Sequence, residues 1–373
     1  LTAQGTVVWA KAIGGIGRDA AFSLGLDAND NIYITGYFAE TVDFDPGTGV
    51  FNLTSNGKKD AFILKLNSNG DFVWAKNIGG LDNDMGLKLV IDNLGSVFVT
   101  GNFMGSVDFD PNAGINMLSS MGAGDAFVVK LNSNGNFEWA KQKGLNGNGM
   151  GMAITKDASQ NIYVTGIINE TLTTSYSFYS SNPWYLPQGT MFLQKIDNNT
   201  GNLIWENVTS LADSPHAIVL DNVGNIYTAG GQGVLYALKT DSNGNLLWYY
   251  KGTGSINYLG RSIAIDNNND LYLTGSFRDT IDADLTSQTY NLTSVGNWDI
   301  YLIKMDSNAN LIWAKSMGGN GGETAYDVKV DGDNQVYLTG DIDSGVSDLD
   351  PNGVFNVSGG ASIFVAKYTQ GLP

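Results

Sequence analysis

Six tryptophans each close an apolar, strand-like run in this 373-residue chain: Trp9, Trp74, Trp139, Trp205, Trp248 and Trp313. Subtracting neighbours gives spacings of 65, 65, 66, 43 and 65 residues, so the chain is an array of one repeated unit. Four short strands can be read in each unit. The first ends in Asp: AFSLGLD (21–27), LKLVID (87–92), MAITKD (152–157), HAIVLD (216–221), SIAID (262–266) and AYDVKVD (325–331). The second, as in NIYITGYF, carries an interior glycine at Gly36, Gly101, Gly166, Gly230, Gly275 and Gly340. The third (AFILKLN, AFVVKLN, MFLQKID) carries a lysine, and the fourth (DFVWAK, NFEWAK, NLIWEN) carries the tryptophan. The turns between them, DANDN and NSNG among others, are rich in Asn, Asp and Gly, which tolerate the left-handed backbone of tight hairpins.

Four strands per fixed period is the pattern of an all-β, six-bladed β-propeller with four-stranded blades. The chain starts with a fourth strand, TVVWAK (6–11), and finishes with a third, SIFVAKY (362–368). The last blade is therefore expected to be closed by the N-terminal strand, which removes the sheet edges of an open array. This gives one domain, 1–373, with blades at about 12–76, 77–141, 142–207, 208–250, 251–315 and 316–373 plus 1–11. Glycine weakens a strand, so six in register imply close approach by a neighbouring backbone or side chain, with the bulky tryptophan one candidate.

Composition narrows the function. A net charge of −17, from 37 acidic and 20 basic residues, repels phosphate backbones and anionic membranes and argues against nucleic-acid partners. Nothing approaches 18 consecutive apolar residues, so no membrane insertion is expected. Cysteine is absent, which is compatible with secretion and with the cytosol alike. A monomeric domain is expected.

The unit DAF(V/I)(V/L)KLNSNG(N/D)FxWAKxxGG, followed by an Asp-ended strand, NIY(I/V)TG and VDFDPG, resembles the SBBP β-propeller repeat of secreted and cell-surface Bacteroidetes proteins. The likeness covers essentially the whole chain, although that family is seven-bladed by name and six units are counted here. The resemblance implies an exported, non-catalytic propeller at an extracellular or cell-surface location, of the kind that often precedes a type IX secretion sorting domain.

Features repeated in every unit read as scaffold: the tryptophans, the strand-end aspartates and the lysines Lys65, Lys130, Lys195, Lys239, Lys304 and Lys367. Features that vary are the better candidates for function. Four units insert a hairpin between their second and third strands, VDFDPGTGVFNL, VDFDPNAGINML, IDADLTSQTYNL and SDLDPNGVFNV. Alternation puts two carboxylates on one face in each: Asp43 with Asp45, Asp108 with Asp110, Asp282 with Asp284, and Asp348 with Asp350. Such pairs repel unless a cation lies between them or turn amides cap them. Calcium, which takes six to eight oxygens, and simple turn capping are the two readings.

In the third unit the hairpin is replaced by a long loop holding Tyr176, Phe178, Tyr179, Trp184 and Tyr185, beside a fourth unit with almost no insertion. Aromatic groups with polar edges suit a glycan or protein ligand, or else fold back to fill the space. The Gly-rich links between units carry Asp19, Asp84 and Glu323, expected at the mouth of a central channel. For catalysis the inventory is thin: no Cys, the single His216, which reads as a packing or capping residue, and Arg18, Arg261 and Arg278. The expectation is a non-catalytic binding or adhesion propeller for a glycan or cell-surface protein. A structural spacer and a carboxylate-based glycoside hydrolase or lyase are the alternatives.

Overall fold

A computed structural model of the chain describes residues 8–144, 147–169, 189–211, 214–252, 258–350 and 353–369. The described residues form strands and turns with no helix. They fall into two compact units, residues 1–208 and 209–373.

The first unit holds three four-stranded antiparallel meanders, each in simple up-and-down order. The first comprises Ala20–Leu26, Ile32–Phe38, Asp60–Leu66 and Phe72–Ile78, and the second Met85–Ile91, Val97–Phe103, Asp125–Leu131 and Phe137–Lys143. The third comprises Asn148–Lys156, Ile162–Asn169, Thr190–Ile196 and Leu203–Thr209. Successive first strands lie side by side. Both faces of a middle sheet are covered, which explains strands such as Val97–Phe103 and Asp125–Leu131 that are buried at every position. One core joins Tyr33, Ile63 and Trp74 to Leu89, Val97, Phe103 and Phe127, and another joins Phe98, Val128 and Trp139 to Ile154, Val164 and Phe192. Burying each such side chain is worth about 2 kcal/mol.

The second unit repeats the plan. Pro215–Leu220, Ile226–Gly230, Tyr236–Thr240 and Leu246–Lys251 make one meander, and Tyr258–Ile265, Leu271–Phe277, Asp299–Met305 and Leu311–Gly319 the next. The last meander has three strands among the described residues, Glu323–Val330, Val336–Asp348 and Asn356–Tyr368, and is joined to the preceding one where Gly318–Gly319 pairs with Ser347–Asp348. The expected closing strand at 6–11 lies partly outside the described residues. Its described part is not in a strand, and the Trp9 ring instead lies 3.0 Å from the point where a Gly70 Cβ would stand.

The scaffold residues do what repetition implied. Trp74 and Lys65 both donate to the Ser133 carbonyl of the next sheet at 3.1 Å, and Trp248 and Lys239 do the same to Ser307. Each lysine also sits over an aromatic ring, Lys65 at 4.9 Å from the Tyr33 centroid and Lys304 at 4.9 Å from that of Tyr272. The strand-end aspartates accept from the turn that follows them and from the same tyrosines, as in Asp221 with Tyr227 and Asp331 with Tyr337.

The interior glycines have a different neighbour from the tryptophan. Every first strand carries a β-bulge one turn from its start, where the register skips Phe22, Leu87, Met152, His216, Arg261 or Tyr326. The glycine lies opposite the bulge. A Cβ on Gly36 would stand 1.8 Å from the Ala20 carbonyl oxygen, and one on Gly101 would stand 1.9 Å from that of Met85. The close approach is therefore backbone to backbone, and a bulge at this place kinks the strand and re-aims one side chain.

Candidate functional site

The four inserted hairpins form. Thr41–Asp43 pairs with Asn52–Thr54, Ser106–Asp108 with Met117–Ser119, and Thr280–Asp282 with Asn291–Thr293. In the last sheet the hairpin is continuous with its parent strands, Val336–Asp348 and Asn356–Tyr368. The residue between the two aspartates turns inward in each case: Phe44, Phe109, Ala283 and Leu349 are buried and root the hairpin in the core.

The flanking aspartates are occupied by backbone donors. Oδ1 of Asp43 accepts from the amides of Asp45 at 3.0 Å and Phe51 at 2.8 Å, bridging the two sides of the turn. Asp108 takes the amides of Asp110 and Asn116, Asp282 those of Asp284 and Tyr290, and Asp348 those of Asp350 and Phe355. The second aspartate then caps the tip: Asp45 accepts from Gly47, Asp110 from Asn112 and Asp284 from Thr286. Its other oxygen fills the space over a glycine, 2.1 Å from a Cβ placed on Gly49 or on Gly114. These bonds are the capping geometry, and a cation at the same oxygens would compete with the N–H donors. Among the described residues no three His, Cys, Asp or Glu side chains gather as a metal site.

The clamp holds an aliphatic residue in water at three of the four tips, and the third hairpin has Thr289 at that place. Val50 is 73% exposed, Ile115 81% and Val354 75%, with Phe51, Met117, Tyr290 and Phe355 exposed beside them. Apolar side chains held outward recur at the same place on separate hairpins, among other exposed apolar residues such as Leu81 and Leu94. The sequence carried this signal at Val50, Ile115 and Val354, but alternation alone could not say which side of the turn faces solvent.

At the root of the hairpins the links between sheets are tied down by acids. Asp19 accepts from Gly15 and Ala39, Asp84 from Gly80 and Met104, and Glu323 from Gly319 and the Ser347 hydroxyl. Each joins a link glycine to the start of the neighbouring hairpin. Asp84 and Glu323 are buried here and do not present charge at a channel mouth, because the link folds down over them. Three further acids at the start of third strands, Asp60, Asp125 and Asp299, are buried under the same links. Burial pushes Asp84 up to about 7, opposed by the two amides and reinforced by the charges of Asp60 and Asp82. Burial also raises Asp125 to about 6, and raises Asp60, Asp299 and Glu323.

The aromatic loop residues Tyr176, Phe178, Tyr179, Trp184 and Tyr185 lie outside the described residues. The short connection of the fourth sheet, beside which that loop was expected, pairs Gln232–Gly233 with Tyr258–Leu259 of the following strand.

Sequence reading missed the bulge series. In the first unit the bulged residues are apolar, and Phe22 and Leu87 pack with Met85, Met150 and Met152. In the second they are polar: His216, Arg261 and Tyr326. The buried Arg261 guanidinium lies 6.0 Å from the Tyr326 ring centroid, and burial lowers it to about 10. Tyr326 donates to Asp341 at 3.0 Å. The signal available was one residue per unit breaking the alternation of the first strand, which a single strand does not reveal.

Repeated four-stranded meanders with first strands packed side by side define the class, an all-β repeat protein of the β-propeller type. No family model matches the chain. Over 436 aligned residues it is 22% identical to an uncharacterized WD repeat-containing protein, L264, of Acanthamoeba polyphaga mimivirus, covering 91% of this chain and 31% of that one. It is 27% identical over 157 residues to regulatory protein FlaEY of Caulobacter vibrioides, covering 42% of this chain and 16% of that one. The chain thus spans less than a third of the length of these curated relatives. Among solved structures, the Pan2 WD40 domain of Neurospora crassa aligns with a TM-score of 0.48 and 13% identity, over 86% of this chain and 75% of that one.

Proposed function

We propose that this chain is a non-catalytic interaction domain that engages a protein partner through its aspartate-clamped hairpins. The observation that carries the reading is the exposure, in the first unit, of Val50 and Ile115 on tips whose backbone is fixed by Asp43 and Asp108; taken by itself, the second unit has Val354 on the tip fixed by Asp348. Rigid apolar contact points lose little conformational entropy on binding, and they suit a protein surface better than a polyhydroxylated glycan. The fields of 37 acidic residues favour a partner with basic groups around its apolar patch. An extracellular or cell-surface location, and a six-bladed ring completed by residues 6–11, belong to the same proposal. The three-stranded last meander among the described residues is what a missing fourth strand would leave. Trp9 over Gly70 repeats the placement of Trp74 over Gly135.

The test compares the full chain with a variant carrying Val50→Asp, Ile115→Asp and Val354→Asp in retention of proteins from the cell-surface fraction of the source organism, with a glycan array run in parallel. Loss of a specific retained protein, with melting unchanged, supports the reading. Equal retention by both chains, or specific glycan binding that survives the substitutions, overturns it.

A further inference from the structure

Of the five buried carboxyl groups near the links, which serve no part of the hairpin clamp, four stand in two pairs and Asp125 stands apart from them. At the link between the first and second sheets, Asp84 accepts from Gly80 N at 2.7 Å and Met104 N at 2.9 Å. Asp60 stands beneath the same link: its Cγ is 2.2 Å from the point where a Gly79 Cβ would lie. Asp60 Oδ2 accepts from Asn56 N and Asn77 Nδ2, while the fully buried Oδ1 has no hydrogen-bond partner. In the second unit, Asp299 Oδ1 and Glu323 Oε2 lie 2.8 and 2.7 Å from the point a Gly318 Cβ would occupy. Among the described residues none of the four is in an ion pair. The charges that face them add to the repulsion or look elsewhere. Asp82, paired with Lys58, faces Asp84, and Asp343 faces Glu323, while Lys59 lies over the Tyr37 ring.

Two adjacent carboxylates in a buried place, neither in an ion pair, cannot both stay ionised cheaply. We propose that Asp60 with Asp84, and Asp299 with Glu323, are proton latches: each pair keeps one proton while its link is closed, and releasing that proton to solvent loosens the link and the root of the adjoining hairpin. The bonds explain the reach of the effect. Asp84 joins Gly80 to Met104, two residues before the hairpin strand Ser106–Asp108, and Glu323 joins Gly319 to Ser347 at the base of the last hairpin. Asp19 is the internal control, since it makes the same two bonds at the first link but is half-exposed. The latch concerns the link and does not depend on whether the tips bind a protein.

Hydrogen exchange of the full chain, corrected for the intrinsic rate at each pH, tests it from about pH 5.5 to about pH 8.5. The amides of 79–84 and 104–108 are expected to lose about tenfold protection across that range. Asp84→Asn should flatten the profile at this link alone, and Asp19→Asn should leave it unchanged. If Asp84→Asn does not fold, Asp60→Asn removes the other carboxyl and must flatten the profile too. Wild-type protection that does not vary with pH, or an equal slope in wild type and the folded variant, overturns the latch.

Discussion

The two ends of each sheet use the same residue type in opposite ways. At the tight turns, Asp27 is pushed up by burial, but the Asn31 side chain and the Asn29 and Asn31 amides more than offset this and leave it lowered; Asp157 and Asp306 follow the same pattern. Asp241 is lowered chiefly by the Asn245 side chain, and Asp331 by the Gln335 amide. At the links, Asp60, Asp84, Asp299 and Glu323 also accept N–H bonds, yet burial wins and they are raised, with neighbouring acids adding to it at Asp84 and Glu323. An amide donor stabilises a carboxylate; whether the group ends up ionised depends on the water and the charges that remain around it.

Crowding is the sharpest point of difference, and the largest effect is expected there. Gly79→Ala, whose Cβ would stand 2.2 Å from the Asp60 carboxyl, should cost about 3 kcal/mol or more by denaturant unfolding. Gly95→Ala at a turn, where φ is +78° but the nearest atom would be 3.2 Å away, should cost about 1 kcal/mol. Equal losses would break the comparison.

The pH dependence should show both ends with opposite sign. A raised carboxyl contributes stability that is fully present below its ordinary value of 3.8 and is lost as pH rises, which for Asp84 extends to about 7. A lowered one, such as Asp27, contributes stability present above 3.8 and lost as pH falls through its folded value. Melting temperature should therefore peak at mildly acidic pH and decline on both sides. A plateau from about pH 5 to about pH 9 would leave the link end without its distinctive chemistry.

Substitution by asparagine sharpens this further. Asp27→Asn turns an amide donor toward the Asn31 or Tyr33 donors and should cost about 1 kcal/mol at neutral pH. Asp84→Asn keeps an acceptor for one amide while removing the charge, and should be less costly above neutral pH than below it. The smallest effect is expected at the hairpin tips. With Asp43, Asp108 and Asp348 already holding amides, excess chelator against millimolar calcium should leave melting unchanged, whereas a clear loss with chelator would favour the cation reading.

Much of this architecture was written in the repeat. The tryptophan, lysine and aspartate positions marked out the sheets and read as scaffold, because every copy repeats them, but the carbonyls they bond in the next sheet were not legible. The hairpins with Asp43/Asp45 and their counterparts were legible as well, whereas the amide donors that Asp43, Asp108, Asp282 and Asp348 accept from were not. The bulges were not legible: Phe22, Leu87 and Met152 look like ordinary strand residues, and nothing local marks His216, Arg261 or Tyr326 as the skipped position. Nor were the buried acids, since Asp60 and Asp299 open strands of ordinary appearance, and their environment is set by a link from the following repeat some 20 residues on.

The central claim is that place within the sheet, rather than residue type, decides the ionisation of these aspartates. Carboxyl carbon NMR titration of the full chain, labelled at Asp and Glu, reads it directly. The account predicts turn aspartates such as Asp27 and Asp306 titrating below the ordinary 3.8, and Asp84 titrating near 7 with Asp60 coupled to it. A single cluster of midpoints around the ordinary value, with Asp84 among them, would contradict it.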